Sequence, residues 1–408
     1  MRPFCLRATL AAFLIPSSVV GAQSLALTES EAVAQLSPDS PRARAIRAAV
    51  DIARADVLAA SRWPNPRITF NRESVAGVTE HMTMVLQPLP ITGRRGLETN
   101  AASALVDAST GRADEELRRA RADLRLAFTQ LMTAQARERE LTRARDDLRD
   151  LSDILTKREA AGDAAGFDRL RSEREVLDLE ADLVTSGADR ARAQAMVVAF
   201  FAASIDPSTI VAAEPVRAQL AIPSVDALME IAETGRGELV ALRRDVEAAR
   251  FAERAAERRL IPEPEVILGT KSSTMGDGDM GSVMSIQAQI PLFDRARSER
   301  AATRARLTQA QARLDGFRIA LRSQMTGLRA VILDRREGAD RYRASAVNSA
   351  DQIERIAQVS YDAGERGILE LLDAYRTAAS ARVRQVALDA AVREAEIELE
   401  FASGWEMP

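Results

Sequence analysis

Tyr361-Asp362-Ala363-Gly364-Glu365-Arg366-Gly367 is the single sharp break in a stretch, 295–401, that contains no proline. Before it, Leu307, Leu314, Leu321 and Leu328 recur every seventh position; after it, Leu372, Ala379 and Val386 do the same. A seven-residue apolar repeat lays one stripe along a helix and calls for a partner helix. The glycines supply the backbone freedom a helix end needs. The stretch therefore reads as a helical hairpin over about 295–403, turning at a tip near 361–368. At 1.5 Å per residue its first helix is roughly 95 Å long. A compact domain needs no element of that length, so something is being spanned.

Working outward, the same pattern occurs earlier. No proline falls between 91 and 206, and Leu117, Leu124, Leu131, then Leu141, Leu148 and Leu155, keep the heptad spacing. The break is Ala161-Gly162-Asp163-Ala164-Ala165-Gly166, which predicts a hairpin over about 92–203 with its tip near 160–168. Ahead of each hairpin the apolar period shifts from helical to alternating. That predicts strands at about 67–75 and 81–89, with a loop over 76–80, and at about 265–272 and 281–290. Helices are expected from Thr28-Glu29-Ser30-Glu31, which has the spacing of a capping box, from 41 to 62, and from 224 to 260. Pro66 and Pro264, Pro90 and Pro291, and Gly162 and Gly364 each stand about 200 residues apart, the mark of an internal duplication. The first repeat covers 23–206 and the second 224–408. Between them 207–223 reads as a short irregular linker carrying Pro207, Pro215 and Pro223.

Charged residues make up 28% of the 408 and aromatics 4%. Few aromatics argue for thin, two-helix-deep packing. A net charge of -4 with both signs interleaved gives no basic field for nucleic acid. The only cysteine, Cys5, lies in 1–22, where Arg2 and Arg7 precede an apolar run ending at Val20-Gly21-Ala22. This reads as a secretory signal peptide, too short for a membrane anchor.

Met284, Ile286, Ala288 and Ile290 alternate with Ser285, Gln287 and Gln289. One apolar and one polar face over such a length suits a transmembrane barrel with a wet lumen. In the first repeat Arg72 and Glu73 interrupt that alternation. About eight strands are the fewest that close a barrel, and an open sheet in lipid leaves backbone groups unpaired. Either the four strands lie outside a membrane or several chains pool them.

Other motifs have plainer readings. Gly276-Asp277-Gly278-Asp279-Met280-Gly281 matches a dinucleotide-binding string, but a strand follows it rather than a helix, so it reads as a hairpin loop. His81, the only histidine, stands beside Met82 and Met84, a pattern that invites copper. In a strand the two methionines share a face that His81 does not, and they read instead as lipid-facing. Trp63 and Trp405 fit interfacial anchors or packing near helix ends. With no nucleophile, metal cluster or cofactor motif, an enzyme is not expected.

The ordered pieces resemble the TolC family of outer-membrane efflux channels over essentially the whole mature chain. They are Leu27-Thr28-Glu29-Ser30-Glu31-Ala32, Pro64-Asn65-Pro66, Gln289-Ile290-Pro291-Leu292-Phe293-Asp294, and Tyr361-x-x-Gly364-x-x-x-x-Leu369-x-x-Leu372-Asp373-Ala374. The resemblance implies a mainly α fold with a small β part. It implies a homotrimer with a twelve-stranded barrel in outer-membrane lipid, a helical tunnel across the periplasm of a Gram-negative cell, a periplasmic adaptor and an inner-membrane pump. It places a tunnel gate at the tips. By the family's pattern Tyr361 and Arg366 lock neighbouring helices, Asp168 is their acidic partner, and Glu370 and Asp373 form acidic rings. Glu370 stands where the family's best-known member has an aspartate, and Gly166 is extra at the first tip. Gly162 and Gly364 make the tip turns. The branch for heavy-metal and cation efflux is the nearest in overall look. The alternative is a coiled-coil scaffold bridging envelope layers, against which the duplicated polar/apolar strands argue.

Overall fold

The computed structural model describes residues 25–36, 40–162, 165–201, 205–213, 221–275 and 279–405. The expected signal peptide and Gly276-Asp277-Gly278 lie outside them.

The chain opens with β1 (Leu25–Leu27), α1 (Glu29–Ala34) and α2 (Pro41–Ser61). The capping box is formed: Glu31 N–H donates to the Thr28 hydroxyl, and the Glu31 carboxylate accepts from Thr28 N–H at 2.8 Å. Then come β2 (Arg67–Val75), β3 (Val78–Pro88), α3 (Arg94–Ala160) and α4 (Gly166–Val198). A short β4 (Ile210–Ala212) precedes α5 (Val225–Gly235) and α6 (Gly237–Arg258). The second repeat continues with β5 (Pro264–Ser273), β6 (Met280–Ala288) and α7 (Arg297–Tyr342). After a π-helical turn over 343–347 the rod runs on as α8 (Asn348–Asp362), and α9 (Ile368–Ser403) returns.

From Arg297 to Asp362 the rod is helical throughout, about 100 Å of it. Its heptad leucines do what their spacing asks. Leu314 and Leu321 are buried and Leu307 and Leu328 partly so, in a cluster with Leu228, Leu239, Met325, Ile332 and Leu399. The first repeat builds its own cluster from Leu124, Phe128, Leu131, Val197 and Ile210. Leu117, although in register, is half exposed.

Three expectations need correction. The helix over 224–260 is two helices, broken at Arg236, whose backbone is extended. The reason is a crossing of α3 on α6 so close that a Cβ on Gly237 would come within 2.1 Å of the Gly111 carbonyl oxygen. The linker is not wholly irregular: β4 pairs in parallel with the unforeseen β1, Leu25 opposite Ile210. The first strand pair has no five-residue loop. Ala76 and Gly77, with φ of 51° and 83°, make a two-residue turn, and β2 runs straight through Arg72 and Glu73.

Candidate functional site

The larger sheet is antiparallel with strand order β2-β3-β5-β6. Its register sorts the side chains. Ile68, Val85, Leu268 and Met284 form one row across all four strands, and all four are exposed. Phe70 and Ile286 share that face and are 66% and 68% exposed. The opposite face carries paired charges. Arg67 pairs with Glu265 at 2.5 Å, Glu265 accepts from Gln287 at 2.6 Å, and Lys271 pairs with Glu80 at 2.7 Å. Met82 and Met84 fall on this second face, which overturns their reading as lipid-facing. Gly269 makes room there, since a Cβ on it would come within 2.8 Å of Met84 Cγ. The outermost strands β2 and β6 each have one edge unpaired among the described residues. A sheet with an apolar row on one face, paired charges on the other and two open edges has the make-up of a barrel's wall segment.

Trp63, just before β2, is 54% exposed under the Arg95 guanidinium at 5.1 Å, as an anchor at the sheet's helical end would be. Trp405 instead packs on the α5–α7–α9 cluster. Among the described residues no helix is long and apolar enough to cross a membrane.

At the far end both hairpins turn on glycine. Gly162 has φ of 81° and Gly364 of 73°, a region where any other residue is strained. Gly364 N–H donates to the Tyr361 carbonyl and Glu365 N–H to the Ser360 carbonyl, closing α8. The two tips pack on each other through Leu148, Leu151, Leu155, Ala357, Leu371 and Leu372.

The site residues read from sequence gather at this end without joining within one chain. Tyr361 packs on the tip cluster with the Arg158 guanidinium 5.3 Å from its ring centroid. Asp168 is half-buried in the first turn of α4, where the helix dipole favours an acid. Arg366, Glu370 and Asp373 are exposed. No hydrogen bond or ion pair among the described residues links Asp168 to Tyr361 or Arg366. The extra Gly166 begins α4 against Glu159, whose carboxylate a Cβ would strike.

Sequence reasoning missed Tyr375. Its hydroxyl donates to Gln358 Oε1 at 2.9 Å. Burial, then the charges of Asp147, Glu354, Asp362 and Asp150, push its pKa up to about 12, so it stays a donor. The available signal was that all three tyrosines, Tyr342, Tyr361 and Tyr375, lie in the second hairpin. Also missed was an ion cluster at the middle of the rod. Glu29 accepts from Arg125 at 2.5 Å and Arg393 at 2.7 Å, and both arginines reach Glu400. It gives the Thr28-Glu29 motif a physical task, tying the chain's start to its last helix.

A wall segment, doubled hairpins and a glycine-turned tip match known proteins. Residues 228–405 match the family described as outer membrane efflux protein. That match spans most of the second repeat, which is similar to this family. The match points to an efflux protein of the Gram-negative outer membrane. The chain is 25% identical to the cobalt-zinc-cadmium resistance protein CzcC of Cupriavidus metallidurans over 341 residues, 82% of this chain and 80% of that one. Among solved structures it superposes on a membrane protein from Pseudomonas aeruginosa with a TM-score of 0.78 at 18% identity, covering 92% and 93% of the two chains. On the outer membrane protein VceC of Vibrio cholerae the TM-score is 0.76 at 16% identity, covering 92% and 96%.

Proposed function

We propose that three copies of this chain close one twelve-stranded barrel and one helical tunnel, forming the exit duct of a tripartite efflux machine. The single observation that carries this is the four-stranded sheet with an exposed apolar row and both outer edges unpaired. One copy cannot finish such a wall in lipid. The repeats over 23–206 and 224–408 each contribute one strand pair and one hairpin. A periplasmic adaptor docks on the tips, and an inner-membrane pump supplies the energy; the duct performs no chemistry.

Cargo follows from two supports: the similarity to a cobalt-zinc-cadmium resistance protein, and the exposure of Glu370 and Asp373 at the tip. Three-fold symmetry would turn each acid into a ring that attracts cations, so divalent metal ions are the class we assign. Tyr361, Arg366 and Asp168 hold the resting tip between neighbouring copies. Tyrosine and arginine both donate to carboxylate, through charge-assisted bonds that a partner can break.

The test is single-channel recording on the detergent-extracted assembly in planar bilayers. The wild type is expected to run as a heat-modifiable trimer of low conductance, and the Tyr361→Phe, Arg366→Ala variant to conduct several-fold more. A soluble monomer would overturn the duct. Unchanged conductance in an intact trimer would overturn the gate alone.

A further inference from the structure

The outward face of the barrel wall carries an unbalanced pair of basic groups. All three carboxylates of the four strands, Glu73, Glu80 and Glu265, fall by register on the inner face. There Lys271 and Arg67 pair with Glu80 and Glu265. Arg72 and His81 fall on the outer face, directly opposite one another, in a row completed by Ser272 and Met280. Directly opposed residues have Cβ atoms about 5 Å apart, so both side chains can reach one ligand. Arg72 is exposed and has no ion pair among the described residues. The His81 ring sits 6.0 Å from that of Phe70, one row nearer the membrane centre.

The height of this row identifies what meets it. Strands enter from the helical end, so the Ala76–Gly77 turn points away from the periplasm. From exposed Ile290, just past β6, up to Met280 is about 34 Å of strand, or ~25 Å along the membrane normal at a tilt of roughly 40°. That is about the full height of a barrel's apolar band. Below the row the face passes through Phe70, with Thr83, Thr270 and Ser282 beside it, to the apolar row of Ile68, Val85, Leu268 and Met284. Arg72 and His81 each stand three residues from the Val75–Val78 end of their strand pair, the end that points away from the periplasm, and so toward the headgroups of the outer leaflet.

We propose that Arg72 and His81 bind the phosphate of an outer-leaflet glycolipid of the lipid A type, with Phe70 and the Ile68 row against its acyl chains. A guanidinium fork matches phosphate geometry, and the missing outward carboxylate leaves the charge to be balanced by lipid. β2 is an edge strand, so the site lies beside the seam with the next copy. This rests on the barrel reading above.

The experiment titrates bis-phosphorylated lipid A onto the detergent-purified, heat-modifiable trimer and counts bound lipid by native mass spectrometry. Dephosphorylated lipid A and inorganic phosphate are the comparison probes. The Arg72→Ala, His81→Ala variant is expected to bind bis-phosphorylated lipid A about tenfold more weakly. Lys271→Gln, which removes an inner-face cation, should bind as the wild type does. Dephosphorylated lipid should bind weakly to all, and inorganic phosphate should not displace the lipid. If the alanine variant does not assemble, Arg72→Gln, His81→Gln serves and should show the same loss. Equal binding by either double variant, an equal loss in Lys271→Gln, equal binding of dephosphorylated lipid, or displacement by free phosphate each overturns the proposal while leaving the barrel intact. A wild type that forms no heat-modifiable trimer overturns both.

Discussion

Arg236 occupies the break between α5 and α6 and does three things there. Its guanidinium donates to the carbonyls of Phe401 at 2.8 Å and Ala402 at 2.7 Å, pairs with Glu115 at 2.6 Å, and lies 4.6 Å from the Phe401 ring centroid. It thus closes the end of α9, whose last carbonyls have no helical partner. Burial lowers its pKa, yet an arginine stays charged in proteins. Arg236→Met is expected to cost about 3 kcal/mol, because it strands a buried carboxylate and two carbonyls; the urea midpoint of the assembled protein measures it. Arg236→Lys should recover only part, since an ammonium cannot reproduce the fork. Tyr375 offers a pH test. Its folded pKa of about 12 lies above the 10.0 of a free tyrosine. Its contribution to stability is therefore fully present below about pH 10 and is lost as pH rises through about 12. Tyr375→Phe should flatten the fall in unfolding temperature over that window. Neither residue was legible from spacing. Arg236 is one arginine among many, and its role exists only because α9 ends beside it in space.

Elements were more legible than residues. Heptad leucines and two glycine breaks located both hairpins, because a periodic stripe and a helix stop are local signals. Where tertiary packing decided, local signals fell short. The pattern over 224–260 looks like one helix, yet Gly235-Arg236-Gly237 yields to the approach of α3. Gly237→Ala is expected to force α3 and α6 apart and cost about 2 kcal/mol, whereas Gly327→Ala, with nothing within 4 Å of its Cβ, should stabilise by up to about 1 kcal/mol. Thermal midpoints of the two variants make the comparison. Strand β1 escaped notice because three residues are too few to show alternation, and its partner lies far along the chain. The gate was legible only as a list of residues. Its bonds, on our reading, run between copies, and no single chain displays them.

For the whole molecule the two faces of the sheet make a directional prediction. Met284→Arg puts a cation in the apolar row and should destabilise the inserted barrel by about 2–4 kcal/mol. Ser285→Arg, one residue on and facing the wet side, should be tolerated. The fraction of heat-modifiable protein in outer-membrane preparations reads the difference. His81 and Met82 show how far register reaches: the two stand side by side in sequence and on opposite sides of the wall. A one-residue slip would carry Arg67, Glu265 and Lys271 into lipid, so the paired charges of the inner face keep the strands from sliding as well as lining the pore.

The bare borders of β2 and β6 also bear on how a cell must produce this protein. A newly exported subunit waits with two sticky margins that it cannot cover itself. On the three-copy reading, completion then depends on encounters among siblings, so halving synthesis should reduce finished pores by far more than half, and a shortage would leave orphans for envelope proteases to clear.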